Sequence, residues 1–279
     1  MLDPVTERHY RDLAGWIALR HAASAWRVFG VHGAQGSGKS TAVRLLQQQL
    51  AADHGLRVAT LALDDFYLPR AARQALAANV HPLLVTRGVP GTHEVSLGVA
   101  TIDRLLRLKP GETLPLPRFS KADDDRLPAD AADPVTGPID LVLFEGWCIG
   151  TPAQTASELA APVNALEQTE DADGRWRTWV NARLATDYRA WFAWIDALIV
   201  LQVPDFDCVR RWRWQQEQET ARAAGATGAG LMSELQLERF LQHYQRLTLH
   251  ALRTLPAQAD VQVILRRDHG IDEMRFRSR

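Results

Sequence analysis

Cysteine and lysine are scarce in this chain of 279 residues, and its net charge is small. The two cysteines, Cys148 and Cys208, are far apart and lack the CxxC or Cys/His spacing of a zinc site. They favour a reducing compartment and predict no disulfide framework. The formal net charge of −1 argues against a protein held to nucleic acid or to an anionic membrane by bulk charge. A small-molecule partner is therefore expected.

Long hydrophobic runs are absent as well. The stretch WIDALIVLQV is about half as long as a membrane-spanning helix requires. The first residues, MLDPVTERHYRDLAG, carry acidic side chains and no apolar core, unlike a signal peptide. The sequence thus predicts a cytoplasmic protein with no membrane partner.

Short apolar runs alternate along the chain with stretches of helical periodicity. The runs are apolar throughout, as expected of parallel strands covered on both faces, and lie at 27–32, 57–63, 139–145, 196–203 and 260–265. The helical stretches lie at about 39–53, 95–108, 175–193, 205–223 and 233–252. This order predicts an α/β fold of three layers, with a parallel sheet between helices. No linker divides the chain, so 1–279 is expected to form one domain.

Two segments interrupt this alternation. Residues 109–138 are rich in Pro and Asp, and GATGAG at 225–230 separates two helical stretches. Long irregular segments inside a compact domain are usually binding loops or lids, with disorder as the alternative. We expect binding loops here.

The segment GAQGSGKST at 33–41 matches the phosphate-binding pattern GxxxxGK[ST]. It follows an apolar run and precedes a helical one, which is the context that such a loop requires. Backbone N–H groups and the helix start would then surround phosphates, Lys39 would reach the β- and γ-phosphates, and the Ser40 hydroxyl would bind Mg²⁺. Lysine accounts for only three of the 32 basic residues, so a lysine at this position suggests that a compact ammonium is required. The predicted nucleotide-binding residues are Gly33, Ala34, Gln35, Gly36, Ser37, Gly38, Lys39, Ser40 and Thr41.

Two of the apolar runs end in acidic residues. LALDDFY contains Asp64 and Asp65, and LVLFEGW contains Glu145. The carboxyl ends of parallel strands meet at one edge of a sheet, where ligands bind. Phosphoryl transfer to an alcohol needs a carboxylate that accepts the hydroxyl proton and a second acid that holds Mg²⁺. We assign Asp64 to the first role and Glu145 to the second, while Asp65 remains an alternative base.

These motifs occur together with RGVPGTHE at 87–94, LPLPRFSKADDDR at 114–126 and WRWQQE at 212–217. In order and spacing, the set resembles the P-loop small-molecule kinases that include uridine kinase, phosphoribulokinase and pantothenate kinase. Within that group it is most similar to the D-glycerate 3-kinases of the plant and fungal type and their bacterial relatives. The resemblance extends from about residue 26 to about residue 265.

The resemblance implies a P-loop NTPase fold with a helical lid and a kinase that uses ATP and Mg²⁺. The expected reaction transfers the γ-phosphoryl group to a small acid or polyol, with D-glycerate as acceptor and 3-phosphoglycerate as product. Acceptor-binding segments would lie within about 64–138 and the lid at about 205–235. The implied catalytic residues are Lys39, Asp64 and Glu145, with Ser40 and Glu145 at the metal. The implied acceptor contacts are Asp64, Tyr67, Arg87, His93, Arg118 and Lys121, and Arg213 and Arg222 would contact the nucleotide from the lid.

Other functions remain open at this point. Fold and transfer machinery do not choose an acceptor, so pantothenate, a nucleoside or another hydroxy acid is possible. SKAD at 120–123 resembles the guanine-specifying [NT]KxD of nucleotide-dependent switches, but it precedes FEGW rather than following it. A non-catalytic nucleotide-binding protein is the third alternative, against which the two acids and Lys39 argue. The sequence does not predict the oligomeric state.

Overall fold

The computed structural model describes residues 4–128, 131, 134–223 and 232–277. Its helices are α1 (Pro4–Ser24), α2 (Lys39–His54), α3 (Arg70–Asn79), α4 (Val95–Arg107), α5 (Ala156–Leu159), α6 (Ala165–Glu170), α7 (Arg175–Arg183), α8 (Arg189–Phe192), α9 (Phe206–Ala223) and α10 (Glu234–Thr254). Its strands are β1 (Val28–Gly33), β2 (Val58–Ala62), β3 (Thr113–Pro115), β4 (Phe119–Ser120), β5 (Asp125–Arg126), β6 (Pro134–Thr136), β7 (Leu141–Gly146), β8 (Ala197–Gln202), β9 (Val261–Leu265) and β10 (Ile271–Phe276). No helix in these ranges is long and apolar enough to cross a membrane.

The central sheet has the strand order β10-β9-β8-β1-β7-β2. All neighbouring pairs are parallel except β9 and β10, which are antiparallel. The five predicted strands are thus confirmed, and β10 is an addition that the sequence analysis missed. In β7, Glu145 is in register with Val31 of β1 and Ala62 of β2. The register therefore brings the end of β7 beside the start of the phosphate-binding loop.

Each face of the sheet carries its own apolar core. One core joins the sheet to α1, α2 and α9, and the other joins it to α4, α7 and α8, while α10 contributes to both. The predicted α/β architecture of helices on both sides of a parallel sheet is confirmed. The strands β1 and β7 are buried along their whole length, as expected. In β2 and β9, however, burial alternates, because helices cover these strands fully on one face and partly on the other.

Several elements differ from the sequence-based expectation. The helices α1 and α3 were not predicted, and the expected helix at 175–193 is divided by a π-helical turn at Leu184–Tyr188. The segment 109–138 contains two small antiparallel sheets, β3 with β6 and β4 with β5. Four of its residues, at 129–130 and 132–133, and the predicted loop at 225–230 lie outside the described residues.

Tight packing of α4 against α8 yields a prediction about stability. A Cβ atom at Gly98 would lie 2.0 Å from the Trp191 ring, which is fully buried. Gly98→Ala should therefore lower the free energy of unfolding by about 1–3 kcal/mol. Gly15→Ala is the matched control, since nothing lies within 4 Å of its added Cβ and alanine favours the helix α1 by about 0.5–1 kcal/mol. Urea denaturation would give the free energy of unfolding of both variants. Equal free energies in the two variants would mean that the Trp191 ring moves aside to make room for the added methyl group.

Candidate active site

The segment 33–41 forms the connection between β1 and α2. Gly36 and Gly38 adopt the left-handed backbone conformation, with φ of 76° and 85°, which disfavours residues with a side chain. Helix α2 starts directly after Gly38, an N-cap residue that has no side chain to cap the first N–H groups. The Ser37 hydroxyl and the Gln35 side-chain amide are buried without a hydrogen-bond partner among the described residues. Free donors at a helix start fit an anionic ligand such as a phosphate.

Ser40 and Lys39 connect this loop to the neighbouring strand ends. The Ser40 hydroxyl donates a hydrogen bond to Glu145 Oε1 at 2.6 Å, and Lys39 Nζ donates to the Ala34 carbonyl at 3.0 Å. Burial lowers the pKa of Lys39, while the nearby charges of Glu145 and Asp64 raise it less strongly. The structure therefore brings together the three predicted catalytic residues.

The Ser40 and Glu145 oxygens are hard donors of the kind that Mg²⁺ prefers. Within the described ranges, no group of three or more His, Cys, Asp and Glu side chains could hold a metal ion. Phosphates and water usually complete the ligands of a protein-bound Mg²⁺ ion.

Asp64 and Asp65 lie in a 3₁₀ turn, Leu63–Phe66, that follows β2. Asp64 Oδ2 accepts a hydrogen bond from Lys121 Nζ at 2.7 Å, and its Oδ1 accepts one from the Tyr67 hydroxyl at 2.8 Å. Asp65 Oδ2 instead accepts a hydrogen bond from Arg118 at 2.8 Å. Within this turn the two carboxylates thus face different partners.

Burial and charged partners together shift the pKa values of Asp64 and Asp65 in opposite directions. Burial opposes the ionisation of both carboxyl groups. At Asp64, the Lys121 charge and the hydrogen bonds from Lys121 and Tyr67 together outweigh burial, so the pKa lies below its ordinary value. At Asp65, burial outweighs the charge of Arg118 and the pKa is raised. Asp64 is therefore the more readily ionised of the two, and it also interacts with the charge of Lys39.

Arg118 and Lys121 reach the two acids from the hairpin formed by β4 and β5. Arg118 precedes β4, and Lys121 lies in the turn between the strands. Arg87 forms an ion pair with Asp124 in the same hairpin. Arg73, a residue that the sequence analysis missed, binds Asp124 as well at 2.8 Å and is only 1% exposed. Arg87 thus lies close to the hairpin but already has an anionic partner.

The segment RGVPGTHE is fastened to its surroundings by hydrogen bonds from distant residues. The Tyr244 hydroxyl donates to the Arg87 carbonyl at 2.9 Å, and Trp147 Nε1 donates to the Gly88 carbonyl at 3.1 Å. At the other end, the His93 ring packs on the Tyr67 ring with a centroid distance of 4.6 Å. The segment thereby holds His93 beside the turn that carries Asp64.

Helix α9 packs directly against the phosphate-binding loop. A Cβ atom at Gly36 would lie 2.9 Å from Trp212 Cβ, and the Trp212 ring stacks on His269, whose Nε2 is 3.1 Å from the Gly36 carbonyl oxygen. His269 follows β9 and was not among the predicted site residues. Arg213 forms an ion pair with Glu217 at 2.9 Å within its own helix, and Arg222 is exposed near the helix end. The structure thus brings α9 to the loop, with the Arg213 side chain paired within its own helix.

Comparison with known proteins gives sequence relatives over most of the chain. No family model matches the chain. D-glycerate 3-kinase, chloroplastic, from Arabidopsis thaliana is 34% identical over 239 residues, or 83% of this chain, and the chain spans about half (49%) of that protein's length. The uncharacterized kinase mug58 of Schizosaccharomyces pombe is 31% identical over 237 residues, which cover 82% of both chains.

Solved structures give the same result at the level of the fold. D-glycerate 3-kinase from Cryptococcus neoformans var. grubii superposes with a TM-score of 0.77 at 26% identity, covering 96% of this chain and 99% of that one. The YGR205w protein superposes with a TM-score of 0.72 at 22% identity over 96% of each chain, a likeness of fold alone. Together with the phosphate-binding loop and the acidic strand ends, these relatives show that the chain belongs to the family of P-loop small-molecule kinases that includes the D-glycerate 3-kinases.

Proposed function

We propose that the protein is an ATP-dependent kinase that phosphorylates a hydroxyl group of a small organic acid, with D-glycerate as acceptor and 3-phosphoglycerate as product. The observation that carries the proposal is the convergence of Lys39, Asp64 and Glu145 at one edge of the sheet, beside the cations Arg118 and Lys121. The choice of acceptor is supported by the two relatives named D-glycerate 3-kinase.

In this proposal the loop 33–41 binds the phosphates of ATP through its backbone N–H groups and the start of α2. Lys39 supplies a positive charge to the transferred phosphoryl group. Ser40 and Glu145, which are hydrogen-bonded to one another, would hold Mg²⁺, an ion that neutralises phosphate charge when bound. Arg213 and Arg222 would act from a lid at about 205–235, which requires that Arg213 exchange Glu217 for a phosphate oxygen.

The acceptor would lie between the turn at 63–66 and the β4–β5 hairpin. Asp64 accepts the proton of the attacking hydroxyl, and Tyr67 orients the Asp64 carboxylate. The carboxylate of the acceptor requires a cation, which Arg118 or Lys121 can supply by exchanging its aspartate partner for the ligand. Arg87 and His93 complete the proposed acceptor contacts. We further propose a cytoplasmic location and one domain spanning 1–279.

The contact between Lys121 and Asp64 predicts the pH dependence of the reaction. Asp64 must be ionised to accept a proton, so activity is lost as the pH falls through its depressed pKa. Lys121→Met removes the charge but leaves the burial, so the pKa of Asp64 rises and the acid limb of kcat/KM should move to higher pH. The exposed Lys109→Met is the matched control and should leave the limb in place. If the acid limb of kcat/KM stays in place in Lys121→Met, a group other than Asp64 is responsible for the loss of activity at low pH.

An acceptor panel tests the proposed reaction. ADP release is measured with Mg·ATP and D-glycerate, L-glycerate, pantothenate, uridine, ribulose 5-phosphate or no acceptor. We expect stimulation by D-glycerate alone. Stimulation of ADP release by another compound would support the kinase function but identify a different acceptor. ATP binding without stimulation by any compound would favour a non-catalytic binding protein. Displacement of ATP by GTP would favour the nucleotide-dependent switch.

A further inference from the structure

The His93 ring is buried in the proposed acceptor site. His93 is 4% exposed, and its Nε2 atom has no hydrogen-bond partner among the described residues. The ring lies between two tyrosines, with centroid distances of 4.6 Å to Tyr67 and 5.7 Å to Tyr188. His93 and Asp64 are close enough for their charges to interact. Leaving a buried donor or acceptor unpaired lowers stability, and a ligand that pairs with it would remove this cost.

The hydrogen bonds of Tyr188 favour one tautomer of His93. The Tyr188 hydroxyl oxygen accepts a hydrogen bond from the Gly91 backbone N–H at 3.0 Å, and it also contacts His93 Nδ1. Burial raises the pKa of Tyr188 well above its ordinary value, so the hydroxyl keeps its proton. Because Gly91 N–H can only donate, it occupies an acceptor site of the hydroxyl and leaves the hydroxyl proton available to His93 Nδ1. Nδ1 is then the acceptor, and the ring proton resides on Nε2.

The ring is also neutral. Burial lowers the pKa of His93 to about 3, and the charge of Asp64 opposes this shift only in part. The site thus contains a neutral N–H donor, in contrast to Arg118 and Lys121, which are ion-paired with Asp65 and Asp64. A neutral donor can form a hydrogen bond with an uncharged or anionic oxygen without adding a charge next to Asp64.

Tyr188 reaches this position because of an irregularity in its helix. It is the last residue of the π-helical turn Leu184–Tyr188, which separates α7 from α8. Such turns re-aim side chains within a helix and occur frequently at functional sites. The Tyr188 ring is fully buried and packs against Trp191 and Phe192, at centroid distances of 6.0 and 5.8 Å. The hydroxyl is therefore held in place from a helix far away in the sequence.

We propose that Tyr188 is a positioning residue that fixes His93 as the Nε2–H tautomer, and that this N–H donates a hydrogen bond to an oxygen of the acceptor acid bound beside Asp64. The inference rests on the proposed function, because it requires an acceptor at this place. It assigns a specificity role to the RGVPGTHE segment, whose anchoring by distant residues then serves to present one donor. A compound that lacks the matching oxygen would leave this donor unpaired and bind less tightly.

Kinetics of His93 variants test the contact with the acceptor. His93→Leu should raise the KM for D-glycerate about 10- to 100-fold, which corresponds to the loss of one buried hydrogen bond, and leave the KM for ATP unchanged. His93→Gln keeps a side-chain N–H of similar reach and should recover part of this loss. Tyr188→Phe should show a smaller rise in the same KM. A role in folding alone would instead lower thermal stability without this separation of the two KM values.

Nitrogen NMR of histidine-labelled protein tests the tautomer directly, without relying on enzyme kinetics. In the free wild-type protein we expect a His93 signal with Nε2 protonated and Nδ1 unprotonated, identified by its absence from His93→Gln. D-glycerate should shift the Nε2–H proton, and Tyr188→Phe should give a mixture of tautomers.

Two results would overturn the inference. One is a protonated Nδ1 in the free protein. The other is that the wild-type enzyme phosphorylates D-glycerate, but His93→Leu has a KM for D-glycerate within about twofold of the wild-type value. Failure of the proposed function looks different, since the wild-type protein itself would then release no ADP with any acid of the panel.

Discussion

Asp64→Asn is expected to lower kcat by about 10²–10⁴-fold, because an amide cannot accept the proton of the attacking hydroxyl. The substitution is nearly isosteric, and its carbonyl can still accept the hydrogen bond that Tyr67 donates at 2.8 Å. The phosphate-binding loop at 33–41 is untouched, so ATP binding should persist. Coupled ADP release with D-glycerate gives kcat, and titration calorimetry gives the ATP affinity.

Asp65 supplies the matched control for this experiment. It is the same residue type in the same turn, but its carboxylate binds Arg118 rather than Lys121. Asp65→Asn releases Arg118, so we expect a change in the KM for the acceptor with little change in kcat. A large loss of kcat in Asp65→Asn together with an active Asp64→Asn would assign the base to Asp65. Retained kcat in both variants would remove the carboxylate base from the mechanism.

Lys39→Ala is expected to lower kcat/KM for ATP by about 10²–10³-fold, the usual effect of deleting one group that stabilises transition-state charge. Lys39 lies beside Glu145 and Asp64, whose charges oppose the lowering of its pKa by burial and favour the ammonium form. Phosphate oxygens of a bound nucleotide would favour that form further. The rate of ADP release at varied ATP concentration measures the effect.

Two further lysine substitutions sharpen this test. Lys109→Ala removes an exposed lysine and should leave the kinetics unchanged. Lys39→Arg keeps the charge but replaces a compact ammonium by a planar guanidinium, so it should restore little activity. Full activity of Lys39→Arg would mean that the loop needs a positive charge rather than the shape of lysine. Full activity of Lys39→Ala would contradict the proposed role of the loop in transfer.

Some of the fold could be predicted from the sequence because the signal is local. The strands β1 and β7 are buried on both faces, and their unbroken apolar runs reveal this directly. Helix α1 escaped prediction because Tyr10, Leu13, Ala14 and Ile17 are its buried residues, a narrow face among many charged side chains. Strand β10 escaped because it pairs at the sheet edge through β9, and most of its side chains are exposed.

The proposed site likewise contains some residues that could be predicted from the sequence and others that could not. Its phosphate-binding loop is a continuous segment whose glycines and lysine have fixed spacing, so a pattern identifies it. Ser40 and Glu145 are 105 residues apart, yet both could be predicted because each adjoins a recognisable strand. Arg73 and Tyr188 could not be predicted. Arg73 lies on a helix with no motif of its own, and Tyr188 acts on His93 across 95 residues from a π-helical turn that no sequence pattern indicates.

The α/β class, the order of the parallel strands along the chain, the phosphate-binding loop and the acidic strand ends could be predicted from the sequence, because these features depend on residues that are neighbours in the chain. The tertiary structure alone decided the partners of those acids: Lys121 and Tyr67 at Asp64, and Arg118 at Asp65. Charge pairing and burial depend on which distant segments pack together, and it is those contacts that set the opposite pKa shifts of two adjacent aspartates.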